Sequence, residues 1–209
     1  MTGDSGGDGE GRKRRLSSEQ VAANILDAAI EVFASQGWAG FSFESISRAA
    51  GVGKSSLYSR YRSRDEIMAQ IIETHLFDGA GIGSNDIEAD LRDLARAYAD
   101  WLDGPGGRLS LRFFLEDRLN DDFRTVWIKS QRPQLATRSL YGLIDRAKDR
   151  GQLDASVESG VVLHSLLGGV VQQLAASRAP SGTVFTSAEG QQYLDDLVAS
   201  VLRASRPSR

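Results

Sequence analysis

Gly51-Val52-Gly53-Lys54-Ser55-Ser56 is the stretch of this 209-residue chain that most resembles a chemical device, because glycines ahead of Lys-Ser can curl a backbone round a phosphate. A phosphate-binding P-loop needs its first glycine five residues before the second, and that position is Arg48. The loop should also follow a buried strand, yet FSFESIS ahead of it begins with a helix cap, and no later βα alternation supplies a parallel sheet. Gly79, Gly81 and Gly83 lack the G-x-G-x-x-G spacing of a dinucleotide site and read as a flexible connector. His75 and His164 are far apart, with no second His or Cys at metal-ligand spacing, so no metal site or cofactor is expected. Carboxylates are plentiful, but no pair stands out for acid/base work. Nothing in these residues supports catalysis, and a P-loop-like nucleotide-binding protein remains the enzyme-class alternative.

The elements that would position these residues read as helices throughout. Ser17 and Gln20 form a capping box, Leu16 can staple onto Val21, and Val21, Ile25, Ala28, Ala29, Val32 and Phe33 recur at helical spacing up to Gly37. Ser42 caps a short helix carrying Ile46, Ala49 and Ala50 inward, which Gly51 ends. Lys54 opens KSSLYSRY, with Leu57 and Tyr61 four apart, so two short helices meet at a tight glycine turn: a helix-turn-helix. Ser63 and Glu66 make a second capping box for a helix ending near Gly79. Further helices are expected from Ile87 to Leu102, broken at GPGG, from Leu109 to Leu115, over 121–150 with a kink at Pro133, over 157–174, and over 187–203. About nine helices and no convincing strand result, an all-α chain.

Composition narrows the class. Hydrophobic residues make up 41% and charged residues 25%, an ordinary globular mix, and the absence of cysteine excludes disulfide scaffolds, thiolate metal sites and thiol nucleophiles. No apolar run of membrane length is evident, so a soluble cytoplasmic protein without a membrane partner is the default expectation. Residues 1–15 are Gly/Asp-rich and then basic, and are expected to be disordered. The net charge of −3 conceals a polarity: residues 11–64 carry nine Lys/Arg against four acids, whereas the remainder of the chain is acidic. A basic segment on an acidic body suggests a polyanion-binding head.

Physical reasoning places that head on the helix starting at Lys54. A helix entering the major groove presents its first N–H groups, here Lys54 to Ser56, near phosphate. Lys54 and Arg64 bracket the helix, Leu57 should face inward, Ser55, Ser56 and Ser59 permit close approach, and Tyr58 can reach a phosphate through its hydroxyl. Arg60 places a bidentate donor where a base edge, guanine by preference, could be met.

The segment 42–66, S-x-x-x-I-x-x-A-A-G-V-x-K-S-S-L-Y-x-x-Y-x-S-R-D-E, resembles the DNA-binding domain of the tetracycline-repressor (TetR) family. The order of capped helix, glycine-aromatic turn, helix-turn-helix and capped fourth helix agrees over residues 17–66. Two departures stand out: Gly53 replaces the usual serine cap of the recognition helix, and Ser59-Arg60-Tyr61 replaces a more aromatic end. The resemblance implies a basic arm over 1–15, a three-helix DNA-binding domain over 16–64 and a helical effector-binding and dimerisation bundle over 65–209. It implies a ligand-responsive regulator, more often a repressor, that binds double-stranded palindromic operator DNA as a homodimer through its last two helices. DNA-contact candidates are Ser42, Lys54, Ser55, Ser56, Tyr58, Ser59, Arg60, Tyr61 and Arg64. Candidates for the pocket of an unidentified small-molecule effector are Tyr98, Trp101, Arg112, Phe113, Trp127, Tyr141, His164 and Gln172, most of them expected to be plain core. VVLHSLLGGVV is too uniformly apolar for a one-sided surface helix, and Gly168 and Gly169 would allow close approach at the dimer contact. A helical ligand-binding adaptor without operator specificity is the remaining alternative.

Overall fold

The computed structural model describes residues 17–130, 132–180 and 182–207. The expected basic arm and Leu16 lie outside them. The described residues form ten helices and no strand: α1 (Ser18–Gly40), α2 (Phe43–Ala50), α3 (Lys54–Tyr58), α4 (Arg64–His75), α5 (Ile87–Asp103), α6 (Pro105–Leu119), α7 (Asp121–Lys129), α8 (Arg132–Asp149), α9 (Ser159–Ala176) and α10 (Ala188–Ser205).

Local chemistry sets the boundaries. The Ser17/Gln20 capping box opens α1, and Gly37 interrupts it at φ 66°, ψ −167°, a backbone region open essentially to glycine alone. Ser42 caps α2 in a box with Ser45, and Gly51 closes it in the left-handed conformation. The Ser63 hydroxyl accepts from Glu66 N–H, but the Glu66 carboxylate accepts from Arg62 N–H at 2.7 Å, one residue beyond the expected box partner. Three expectations change. Ala49 is exposed, and Ser47 is buried in its place, its hydroxyl donating to Val52 O at 2.6 Å. GPGG breaks the helix as expected, α5 ending at Asp103 with Gly104 as its cap, but the next helix starts earlier than Leu109: Pro105 opens α6, where its missing N–H removes no helical bond. The span 121–150 is two helices rather than one kinked helix, because α7 stops at Lys129 and Pro133 falls in the first turn of α8.

Two apolar clusters hold the molecule. One joins α5, α8, α9 and α10 through residues such as Leu94, Ile144, Leu166, Val170 and Val198. The other joins α1 to α4, around Phe33, Trp38, Leu57 and Ile71, with Leu109, Phe113, Phe123 and Val126 of α6 and α7. The head defined by sequence therefore shares its core with two helices of the body. Helix α9 is long and apolar enough to cross a membrane by length and composition, beyond the sequence expectation, yet Val162, Leu163, Leu166 and Val170 are buried against its neighbours. Its opposite face leaves Val161 59% exposed, in line with His164, Ser165 and Gly168. Gly169 admits α10: a Cβ there would meet Leu197 at 2.7 Å, and the Tyr193 hydroxyl donates to its carbonyl at 3.0 Å. The close approach expected of this glycine is thus made within the chain.

Candidate nucleic-acid interface and interior cavity

Helices α2 and α3 meet at the turn Gly51 to Gly53, which builds no phosphate loop: α2 is helical where a P-loop needs a strand. Helix α3 is five residues long, with Gly53 at its N-cap providing no side-chain bond. Ser56 N–H donates to Gly53 O at 2.9 Å, so of the three amides expected to be free this one is engaged. Leu57 and Tyr61 are buried and seat α3 on the core, leaving Lys54, Ser55, Tyr58 and Ser59 exposed on the outer side. Tyr58 is 64% exposed, with its ring 4.8 Å from that of Phe43. Burial raises the pKa of the Tyr61 hydroxyl above its ordinary value, an effect that Arg60 opposes and Glu66 reinforces.

The candidate cations have different surroundings. Lys54 Nζ lies 3.7 Å from Glu44, which also holds Arg48 at 3.5 Å; both pairs are exposed and cost little to exchange for phosphate. Arg60 lies just past α3, half-buried, donating to Ser56 O at 3.1 Å and to the Ser18 hydroxyl at 3.1 Å. Arg64 turns away from α3: its Nη1 donates to Trp38 O at 3.0 Å and Phe41 O at 3.1 Å, and its guanidinium lies 4.1 Å over the Trp38 ring. Ser42 spends its hydroxyl on the α2 cap.

The body encloses a cavity of about 510 Å³. Seven of the eight pocket candidates line it: Tyr98, Trp101, Phe113, Trp127, Tyr141, His164 and Gln172. Core packing and cavity lining coincide for most of them: Tyr98 and Phe113 are buried core residues, and Trp101, Trp127 and Tyr141 pack against the two apolar clusters. Arg112 is the exception. Its Nε donates to Glu116 Oε1 at 3.0 Å, and that same oxygen accepts from Trp38 N–H at 2.9 Å. Glu116 is 8% exposed, so α6 grips the turn after Gly37 through a buried carboxylate. This grip and the Arg64 contacts engage both backbone polar groups of Trp38, its N–H and its carbonyl. Sequence reasoning missed both, since neither i,i+4 spacing nor charge reveals a partner 78 residues away.

Phe113 also joins cavity and head. Its ring is 5.4 Å from Phe33 of α1 and 5.4 Å from Trp127, and Phe123 stacks 5.4 Å from Phe33. Sequence reasoning also missed Phe77, just beyond α4, and Leu140 and Thr137 on α8, which line the cavity. Only the aromatic character of Phe77 in a glycine-rich connector could have flagged it.

Residues 25–71 match the model for bacterial regulatory proteins of the tetR family, and residues 83–203 match that of the tetracyclin repressor-like C-terminal domain. A Mycobacterium tuberculosis protein named as a mycofactocin biosynthesis transcriptional regulator is 35% identical over 88 residues, which span 42% of each chain. The HTH-type transcriptional regulator AqdR of Rhodococcus erythropolis is 25% identical over 166 residues, 77% of each chain. Among solved structures, the fatty acid degradation regulator FadR from Bacillus halodurans superposes with a TM-score of 0.63 at 19% identity, covering 88% of this chain and 93% of that one. These relatives are regulators by name, not enzymes.

Proposed function

Because the chain belongs to the TetR family of bacterial transcriptional regulators, we propose that it is a homodimeric repressor, released from a palindromic operator by a small molecule bound in the interior cavity. The arm 1–15, head 16–64 and body 65–209 are its working parts, and it acts in the cytoplasm, where the DNA is. Lys54, Ser55, Tyr58 and Ser59 present the outer side of α3 to the major groove, with Ser42 at the adjacent α2 terminus. Lys54 leaves Glu44 for a phosphate. Arg60 exchanges the Ser18 hydroxyl for a base edge, while Ser56 and Tyr61 support the helix and Arg64 fixes the loop beneath it.

The observation that carries this reading is the continuity between cavity and head. Phe113 touches both, and the same helix, α6, holds Trp38 through Glu116. A ligand that displaces α6 must alter the seat of α1, and with it the placement of α3. The dimer forms through the exposed face of α9 around Val161 and Ser165, together with the outer face of α10. A partner on that face fixes the separation of two heads, which must match half-sites about one helical turn apart or a multiple of it. Differential affinity of the two head spacings for one operator then gives a coupling of about 1–3 kcal/mol, or roughly 5- to 150-fold.

The test is to find compounds that raise the melting temperature and to titrate a selected operator duplex with and without them. Weaker DNA binding in their presence supports the reading. Unchanged binding with every stabilising compound contradicts ligand release and leaves a constitutive regulator.

A further inference from the structure

We propose that the cavity takes an uncharged, flat aromatic ligand bearing a single hydrogen-bonding group, rather than a carboxylate, a cation or a long acyl chain. The proposal rests on the reading of this cavity as the effector site, and it follows from how the lining is divided.

Five aromatic side chains come from the α4 to α7 side. Phe77, Tyr98 and Trp101 form one group, with Tyr98 and Trp101 stacked at 5.6 Å and 19° and Phe77 5.0 Å from Tyr98. Phe113 and Trp127 form a second, 5.4 Å apart. The Trp101 indole N–H is already committed to His75 O at 3.0 Å, so this wall offers that polar atom to no ligand. Flat aromatic faces attract other rings by offset or edge-on contact in addition to area burial, and a flexible aliphatic chain gains only the burial while losing more rotational freedom.

Apart from the Tyr98 hydroxyl and the Trp127 indole N–H on this wall, the polar side chains sit elsewhere. Tyr141 on α8 and His164 and Gln172 on α9 supply hydroxyl, imidazole and amide groups, and His164 and Gln172, with Thr137 across on α8, are exposed, which places the mouth between these two helices. Among the described lining residues there is no Lys, Arg, Asp or Glu. Arg112, the one cation that sequence suggested for the pocket, is spent on Glu116 instead. A ligand carboxylate or ammonium drawn inside would lose water and meet no Lys, Arg, Asp or Glu, whereas a hydroxyl or carbonyl at the α8–α9 side finds hydroxyl, imidazole and amide partners. The ligand therefore lies with its rings toward α5 to α7 and its polar group toward the mouth.

Calorimetric titration of the full-length protein at neutral pH separates charge from shape with four compounds. 4-Phenylphenol is neutral and aromatic, 4-phenylbenzoate and 4-phenylbenzylammonium carry opposite charges on the same rings, and decan-1-ol is neutral and aliphatic. The expected result is that 4-phenylphenol binds at least tenfold more tightly than the other three. Trp127→Leu, which removes an aromatic wall, and Gln172→Leu, at an exposed position that leaves the fold intact, should each weaken it at least threefold. Equal or tighter binding of a charged biphenyl or of decan-1-ol overturns the proposal, as does an absence of 4-phenylphenol binding or its indifference to both substitutions. Binding with this selectivity but without any effect on operator affinity supports the ligand class and contradicts the effector reading alone.

Discussion

Replacing Glu116 removes the single carboxylate by which α6 holds the turn of α1. Its Oε1 accepts from Trp38 N–H at 2.9 Å and from Arg112 Nε at 3.0 Å, and the residue is nearly buried. In Glu116→Ala the Trp38 amide loses its partner and the half-buried Arg112 loses its counter-charge. A hydrogen bond to a charged group contributes about 1.5–3 kcal/mol, and an orphaned buried donor costs about 1–3 kcal/mol. Arg112 retains access to water, which limits its share. The expected loss is about 2–3 kcal/mol, and at roughly 2–4 °C per kcal/mol for a chain of this size the melting temperature falls by about 4–12 °C. Glu116→Gln keeps an oxygen for the Trp38 amide and should lose about 1 kcal/mol. Urea denaturation followed by tryptophan fluorescence measures both, and hydrogen exchange at the Trp38 amide localises the effect. The ligand-induced change in operator affinity should also shrink toward onefold in the Ala variant, because the grip is one route from α6 to α1. An Ala variant within about 0.5 kcal/mol of the parent, or a Gln variant as damaged as Ala, would refute this account.

Three further outcomes are expected. Lys54→Ala should weaken operator and random DNA alike and reduce the salt slope by about one unit per half-site, whereas Arg60→Ala should cost about 1–3 kcal/mol per half-site on the operator and much less on random DNA; equal losses on both DNAs for Arg60→Ala would make it a phosphate or positioning contact, and anisotropy titrations at several salt concentrations decide. Val161→Glu, on the exposed face of α9, should yield folded monomers in sedimentation with much weaker operator binding, since linked heads lose their effective concentration; an unchanged dimer would place the interface elsewhere. Val170, fully buried inside the chain, would report on folding instead. Tyr61 has a raised pKa in the folded state through burial, so its contribution to stability is fully present below its ordinary value of about 10 and is lost as pH rises through the folded value; denaturation midpoints between pH 9 and 12 should fall less steeply in Tyr61→Phe than in the parent, and identical slopes would contradict this.

The head was legible in the sequence because its signals are local. Caps at Ser17, Ser42 and Ser63 and the left-handed Gly51 act within a few residues, and Leu57 and Tyr61 mark their own buried face. The break between α7 and α8 escaped, although the polar run KSQRPQ between Ile128 and Leu135 interrupts the apolar period there, because a proline that could kink a helix could equally start one. Ala49 was misplaced because α2 is only eight residues long, so its small side chain says little about which face is inward. For the cavity, aromatic or polar type within the C-terminal helices picked out seven lining residues, but the division into an aromatic wall and a polar mouth depends on the packing of α5 to α9. The roles of Arg64 and Glu116 depend on contacts across 23 to 78 residues and leave no mark in the local pattern, whereas Arg112 meets Glu116 at i,i+4 spacing on the same helix.

The most direct measurement of the central claim is a fluorescence anisotropy titration of the full-length protein, at one fixed physiological salt concentration, against a palindromic duplex enriched by selection from genomic fragments and against a scrambled duplex of the same composition. A sequence-reading helix-turn-helix dimer should prefer the selected duplex by at least about 10³-fold. Equal affinity for the two duplexes, or no binding to either, would contradict the assignment of α3 as a recognition helix.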